Sequence, residues 1–126
     1  MKRLFAAAAL FVAMAVLCAV FLMMLGRSRA EFIGRLEEIG ECAWREDMTA
    51  TEKRIAELND DWRKEEHKLS HFVIAERLDE LTAVFSRLGP LFSFGDRAAF
   101  YAEIERGKAV LEHVWRSEQP IAANIF

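Results

Sequence analysis

Two histidines of this sequence have a residue type and a spacing that could support chemistry. His67 and His71 lie four residues apart, so on one continuous helix their imidazoles would share a face. Two histidines at this spacing can coordinate one metal ion. Glu65 and Glu66 precede them, but not in the HExxH order of a metalloprotease. A closed zinc site needs four ligands, and a helix junction is predicted at His71. His67 and His71 are therefore weak metal candidates, and the sequence predicts no cofactor.

The acidic residues lack the arrangement that catalysis or calcium binding requires. Asp60-Asp61 and Glu65-Glu66 form a run without the glycine and the alternating ligands of a calcium loop. No serine, cysteine or lysine lies in a nucleophile motif such as GxSxG. The 20 acidic residues are spread as helix-surface charge, with no pair suited to acid–base roles. The sequence therefore predicts a protein that is not an enzyme and has no catalytic residue.

Four aromatic residues surround the Gly95-Asp96 pair, namely Phe92, Phe94, Phe100 and Tyr101. Large apolar side chains are usually inside a protein, so burial is the expectation for this cluster. Exposed, it would form a protein-binding surface, for which Phe92, Phe94 and Tyr101 are the candidate residues.

The last residues of the sequence are unusually apolar. After Pro120 the chain reads IAANIF, whereas domain ends are usually polar and fray. Ile125 and Phe126 are predicted to dock against the rest of the domain, because exposure would forgo their hydrophobic burial. The alternative is that they bind a partner that captures a carboxyl terminus.

An apolar segment is the first of the elements that must position these residues. Leu4 to Leu25 carries no charge, and as a helix it spans about 33 Å, enough to cross a hydrocarbon core of about 30 Å. Lys2-Arg3 precedes it, and Arg27 and Arg29 follow it. A cleavable signal has a shorter apolar region, of about 7–15 residues. An uncleaved anchor in the lipid bilayer is predicted, and cleavage near Ala30 with secretion is the alternative.

The distribution of charge argues against a nucleic-acid partner and bears on the orientation of the protein in the membrane. Of 17 basic residues two precede the apolar segment, and all 20 acidic residues follow it, which leaves the rest of the chain with 15 basic and 20 acidic residues, a net −5. Such a domain lacks the basic face that nucleic acid requires. The positive-inside count is close to a tie or slightly favours a cytoplasmic domain, whereas a short basic tail before a span is typical of a signal anchor, which favours the opposite orientation. We therefore predict a single-pass protein of the cell membrane with an extracytoplasmic domain.

Helical periodicity continues beyond the apolar segment. Apolar residues recur at spacings of three and four in four stretches, which run over residues 32–43, 55–72, 74–92 and 100–115. The first stretch is predicted to continue the helix of the apolar segment. The tryptophans lie on or beside these stripes and are predicted to pack in the core: Trp44, Trp62 and Trp115.

Helix ends are predicted from capping residues and helix breakers. Thr49 or Thr51 is predicted to cap the second helix and Ser70 the third. Gly89-Pro90 is predicted to kink the third helix or end it early. Gly95-Asp96 should close the third helix and begin the fourth, which is predicted to run to about Ser117.

A weak internal repeat relates the two halves of the helical region. Asp47, Ala50 and Ile55 match Asp96, Ala99 and Ile104 at one constant offset along the chain. Two copies are too few for a solenoid, although superhelical packing is the alternative. The predicted fold class is all-α, with a transmembrane helix continuing into an antiparallel bundle of about four helices in two αα-hairpins. Residues 1–29 form the basic tail and anchor, 30–117 the bundle, and 118–126 an apolar tail.

The chain resembles an uncharacterised family of small bacterial membrane proteins that share a domain of unknown function. Members have a basic tail, one span, a charged helical domain and a final Asn-Ile-Phe. The matching residues are Lys2-Arg3 with the span, Trp44, Trp62, His71, Ile74, Gly95-Asp96, Leu111-Glu112-His113 and Asn124-Ile125-Phe126. Gly89-Pro90 departs from the unbroken third helix of the family. The resemblance implies a membrane-bound protein with an outward domain and supplies no activity.

These observations predict a membrane-anchored, non-enzymatic interaction or structural protein. Its expected partners are the lipid bilayer, through residues 4–25, and a protein or a second copy of the chain. A small-ligand or metal-sensing module is the alternative, with the ligand held between helices near His67, His71 and the aromatic cluster.

Overall fold

The computed structural model of the chain describes residues 1–71, 73 and 75–125, with residues 115 and 117–125 described by their backbone alone. Within these residues there are four helices and no strand, which confirms the all-α class. The helices are α1 (Lys2–Trp44), α2 (Met48–Leu69), α3 (Ala75–Ser93) and α4 (Arg97–Ile125).

The first helix is one continuous element of 43 residues with two different halves. It is long and apolar enough to cross a membrane, a test that a signal sequence also meets. Only 6% of its most apolar 18-residue window is buried, unlike the core helix of a soluble protein. From Leu25 onward the helix buries a stripe at helical spacing: Leu25, Ser28, Phe32, Leu36, Ile39 and Ala43. The prediction that the helix of the apolar segment runs on into the bundle is confirmed.

The four helices form a closed ring. α1 contacts α2 and α4, and α3 contacts the same two helices. Within the described residues the backbones of the diagonal pairs do not approach closely, and α1 and α3 meet through the stacked rings of Phe32 and Phe85. Short connections make sequence neighbours antiparallel, which is the arrangement of an up-down-up-down bundle. The two hairpins therefore close on each other and do not stack as a superhelix.

Three large rings fill the centre of the bundle. Trp62 meets Phe32 and Phe85 edge-on, with ring centroids 5.3 and 5.2 Å apart, a geometry that aromatic pairs prefer. The Trp62 indole N–H donates to Thr82 Oγ1 at 2.9 Å. The predicted core position of Trp62 is confirmed, since it is 1% exposed.

Gly107 allows α1 and α3 to approach α4 closely. A Cβ added there would lie 3.0 Å from Leu36 Cδ1 and 3.2 Å from Val84 Cγ1, whereas one added at Gly34 would meet nothing within 4 Å. The side chains that face Gly107 are fully buried, so they have little room to move aside.

The internal repeat corresponds to two turns of the same geometry. Glu46 and Gly95, at equivalent positions of the repeat, both have a positive φ, 61° and 74°. In each turn the next residue donates its backbone N–H in the same way: Asp47 N to Cys42 O and Asp96 N to Leu91 O, each at 3.1 Å. This is the hydrogen-bond pattern of a Schellman motif, which satisfies the last carbonyls of a helix.

Both turns also end in the same cap. Asp47 Oδ1 accepts from Ala50 N, and Asp96 Oδ1 accepts from Ala99 N, each at 3.2 Å. The predicted stop and start at Gly95-Asp96 is therefore confirmed. The prediction of Thr49 or Thr51 as the cap of α2 is wrong: Asp47 holds that position, and the Thr51 hydroxyl donates to Asp47 O inside the first turn.

Two further predictions of helix ends are wrong. Ser70 is the C-cap of α2 and not the N-cap of α3, because its hydroxyl donates back to His67 O at 2.7 Å. α3 does not end early at Gly89-Pro90 but continues through Pro90 to Ser93, next to the predicted stop at Gly95-Asp96, and the alternative of a kink stays a prediction. Gly89 has no Cβ for the proline ring to strike, which eases the helical conformation before Pro90. The helical hydrogen-bond pattern resumes beyond it, where Phe94 N donates to Pro90 O at 2.9 Å.

α4 is longer than predicted. Its backbone is helical through Ile125, well past the expected end near Ser117.

Candidate protein-binding surface at the turn end of the bundle

The two related turns lie side by side at one end of the bundle, here called the distal end. Arg97 of the second turn pairs with Glu46 of the first at 3.4 Å. From Leu25 to Trp44, helix α1 rises about 28 Å at about 1.5 Å per residue. The distal end is thus remote from the apolar segment of α1.

An apolar patch covers the distal end. Trp44 is 78% exposed, Met48 51% and Phe94 88%. Among the side chains that the structure describes, these three and the N-terminal Met1 are the exposed large hydrophobics outside the apolar segment. We call Trp44, Met48 and Phe94 the distal patch. Several large apolar side chains exposed at one end of a domain, with charged residues around them, are typical of a protein-binding surface.

A small hollow opens beside the distal patch. Its volume is about 60 Å³, and it is lined by Ala43, Met48, Leu91, Phe92, Gly95, Arg97, Phe100 and Tyr101. Ligand sites for small molecules usually enclose about 300–1,000 Å³. The hollow can therefore receive the tip of one apolar side chain but not a whole small ligand.

A shallower groove between α1 and α4 adjoins this hollow. It encloses about 530 Å³, and its lining includes Trp44 and Tyr101 with charged residues of both signs. Tyr101 borders both the hollow and the groove, and its hydroxyl donates to Gly40 O at 3.4 Å. The distal end thus offers exposed aromatic rings next to a charged groove.

The predicted aromatic cluster divides between core and surface. Phe100 is buried, and its ring centroid lies 5.4 Å from those of Phe92 and Tyr101, which are half-buried. Phe94 is almost fully exposed, because it lies in the turn beyond the end of α3. The expectation of burial is right for Phe100 and wrong for Phe94.

Trp44 is the residue whose role sequence reasoning misses. Its predicted place in the core is wrong: it is the last residue of α1, follows the buried Ala43 and is itself exposed. One residue turns a helix by about 100°, so Trp44 points off the buried stripe. That offset is visible in the sequence and is the signal that could have identified an exposed tryptophan. The side chain of Trp115 lies outside the described part.

The histidines lie far from the distal patch. The ring centroids of His67 and His71 are 6.0 Å apart, and His71 lies in the turn after α2. Among the described residues no group of three or more His, Cys, Asp or Glu side chains could hold a metal ion. His67 is about 28 Å along α2 from Met48. The structure therefore does not join the histidines and the aromatic cluster into one ligand site.

The two apolar residues at the end of the sequence remain candidates. Ile125 is the last residue of α4, and its side chain is not described. Phe126 lies outside the described residues. Their predicted docking therefore stays a prediction.

Comparison with known proteins identifies the family without adding an activity. The search of curated proteins and the search of solved structures found no match. A family model described as a domain of unknown function, DUF4363, matches residues 20–125, which include the distal patch and the whole bundle. The chain therefore belongs to the DUF4363 family.

Proposed function

We propose that this protein is a membrane-anchored, non-enzymatic interaction protein that presents the distal patch to a protein partner at a fixed height above the bilayer. The exposure of Trp44, Met48 and Phe94 at one end of an otherwise well-packed bundle is the observation that carries the proposal.

An uncleaved anchor is favoured by the contacts that surround the alternative cleavage point. A cut near Ala30 would remove the buried Leu25 and Ser28 from the bundle. It would also remove the Ser28 hydroxyl that donates to Glu65 at 2.9 Å and the paired hydrogen bonds from Arg29 to Glu112 at 2.8 and 3.0 Å. Anchor and bundle therefore share one packing unit, and cleavage would open it.

The continuous α1 makes the tether stiff. With the apolar segment in the bilayer, Leu25 would lie at the membrane boundary. The distal patch would stand about 28 Å from it. The basic tail before the span favours a domain on the extracytoplasmic side. The bundle would then hold its apolar patch away from lipid, where a partner domain can reach it.

A protein is favoured over a small molecule as the partner. The hollow holds about 60 Å³, too little for a small ligand but enough for one apolar anchor side chain. The adjoining groove, of about 530 Å³, is shallow and open, whereas small-ligand sites enclose most of the ligand's surface. Trp and Phe contribute strongly to protein–protein contacts when a partner buries them. Charged residues in the adjoining groove, such as Glu41, Arg45 and Lys108, would form a polar rim.

Site-specific photocrosslinking in native membranes tests the proposal. A photoreactive residue replaces Phe94 in one variant and the exposed Glu76, at the opposite end of the bundle, in the control. We expect a discrete adduct from position 94, none from position 76, and loss of the adduct when Trp44→Ser is added. An adduct of twice the mass of the chain would identify the partner as a second copy. Equal labelling from both positions, or none from position 94, would contradict the proposal.

A further inference from the structure

We infer that the last turns of α4, residues 120–125, enter the bilayer leaflet next to the bundle and pack there along one stripe of α1. The inference rests on the proposed anchoring of residues 4–25 and adds a second membrane contact to it. It also changes the predicted docking site of the apolar tail from the bundle to the anchor helix.

Contacts along the bundle give the register of α4 on α1. The two helices are antiparallel, with Gly40 beside Ile104, Leu36 beside Gly107 and Arg29 paired with Glu112. Ile125 follows Glu112 in the sequence by the same interval at which Val16 precedes Arg29. At about 1.5 Å per residue both intervals are about 20 Å, so Ile125 lies level with Val16. That level is well inside the apolar segment.

The other two helices end before this level. Glu65 of α2 accepts a hydrogen bond from Ser28, and α2 ends one helical turn later at Leu69, near the level of residue 24 of α1. That level corresponds to Ser117 of α4, and α3 begins at Ala75, after a short connection. Residues 118–125 of α4 therefore extend past the bundle, with α1 as the helix beside them.

Burial along the apolar segment follows the side of α1 that faces α4. The positions that continue this side are half-buried, namely Ala15, Cys18, Leu22 and Gly26. Phe21 and Met24 are also half-buried and pack against the core, whereas Val16, Leu17, Val20 and Met23 are exposed. This stripe continues the helical spacing of Arg29, Leu36 and Gly40. Coverage of the side of α1 that faces α4, down to residue 15, is what an α4 of this length and register would produce.

The order of residue types along the end of α4 suits this level. Trp115 is level with Gly26, close to the arginines at the end of the span, and tryptophan is enriched at membrane interfaces. Ser117-Glu118-Gln119 follows, level with residues 22–24 in the last turn of the span, from which a carboxylate can reach the headgroups. Residues 120–125 then read PIAANI, in which alanines permit close helix approach and Asn124 is the one polar side chain. The sequence thus changes from interfacial to mainly apolar within about two turns of the level at which the span ends.

Disulfide trapping tests the helix pairing in the full-length protein in liposomes. Cys18 is on the stripe, and neither cysteine of the chain is in a disulfide. In a Cys42→Ala background, Ala122→Cys should form an intramolecular disulfide with Cys18 on mild oxidation. Asn124→Cys, about 200° around the helix, is the matched control. Equal trapping of both, or trapping of neither, would overturn the pairing.

Spin-label accessibility in the same liposomes tests membrane entry. In a Cys18→Ala, Cys42→Ala background, a nitroxide is placed at Asn124, on the side of α4 that would face lipid, at Val16 in the span and at Ala109 on the exposed bundle surface. We expect the label at Asn124 to collide with oxygen more than with a water-soluble nickel complex, as at Val16, and the label at Ala109 to do the opposite. If Asn124 behaves like Ala109 while Val16 remains in lipid, the inference fails and the anchor stands. If Val16 is also in water, the proposed anchoring fails.

Discussion

The two related turns differ at one residue whose backbone conformation suits glycine. Glu46 and Gly95 hold the same left-handed position at φ 61° and 74°. A left-handed conformation costs a residue with a Cβ roughly 1–2 kcal/mol. Glycine avoids this strain but loses about 0.5–1 kcal/mol because its unfolded chain has more conformational freedom. Glu46→Gly should therefore stabilise the bundle by about 0.5–1 kcal/mol.

The reciprocal change gives the opposite sign. A Cβ at Gly95 would meet nothing within 4 Å, so the strain in Gly95→Ala comes from the backbone alone. We expect a loss of about 1 kcal/mol. Because Glu46 also pairs with Arg97 at 3.4 Å, Glu46→Gln is the control that removes the charge and keeps the strain. Exposed pairs of this kind contribute about 0–1 kcal/mol.

Thermal unfolding of the full chain in detergent micelles measures these changes, followed by the near-ultraviolet signal of the buried Trp62. For a domain of this size 1 kcal/mol moves the midpoint by about 4–8 °C. The midpoint should rise for Glu46→Gly and fall for Gly95→Ala. A midpoint unchanged in Gly95→Ala, or lower in Glu46→Gly than in Glu46→Gln, would refute the assignment of strain to this position.

Three further changes test the packing and capping of the bundle by the same assay. Thr82→Val should destabilise by about 1–3 kcal/mol, because the buried Trp62 N–H loses its acceptor; an unchanged midpoint would mean that another group accepts it. Gly107→Ala should be less stable than Gly34→Ala by about 1–3 kcal/mol, because both substitutions gain helix propensity but only the alanine at 107 crowds buried side chains. Equal unfolding midpoints of the two variants would contradict the close approach of the helices. Asp96→Ala should lose about 0.5–2 kcal/mol through its cap, and a smaller loss than that from an exposed mid-helix aspartate would argue against the cap.

Much of the fold could be predicted because its determinants are local. The buried stripe of α1 and the core tryptophan, Trp62, follow from apolar spacing alone, and so does the absence of β-structure from the described residues. The internal repeat correctly marks the two turns, since Asp47 and Asp96 carry the same short-range cap. These features can be predicted from short stretches of sequence because apolar spacing and capping residues act locally.

The errors arise where two local signals compete or where the decisive contact is distant. Thr49, Thr51 and Asp47 are all capping residues, and the turn geometry selects the aspartate. Pro90 is tolerated because a glycine precedes it, which its helix-breaking tendency alone does not reveal.

The candidate site is only half visible in the sequence. Phe94 is among the sequence candidates, but Trp44 is assigned to the core because it adjoins the stripe. Bringing the two turns together needs the closure of the bundle, which no sequence spacing specifies. The level of the last turns of α4 beside α1 likewise depends on helix register.

The distance between the distal end and the bilayer surface is the most direct test of the stiff membrane anchor. Energy transfer is measured in lipid nanodiscs from a donor at the exposed Thr49, in a cysteine-free background, to acceptors on lipid headgroups. A continuous α1 predicts that the donor stands about 28 Å from the boundary. A donor within about 10 Å of the headgroups, where the patch would itself bind lipid, or a chain that separates from the nanodisc, would contradict a bundle held upright by its anchor.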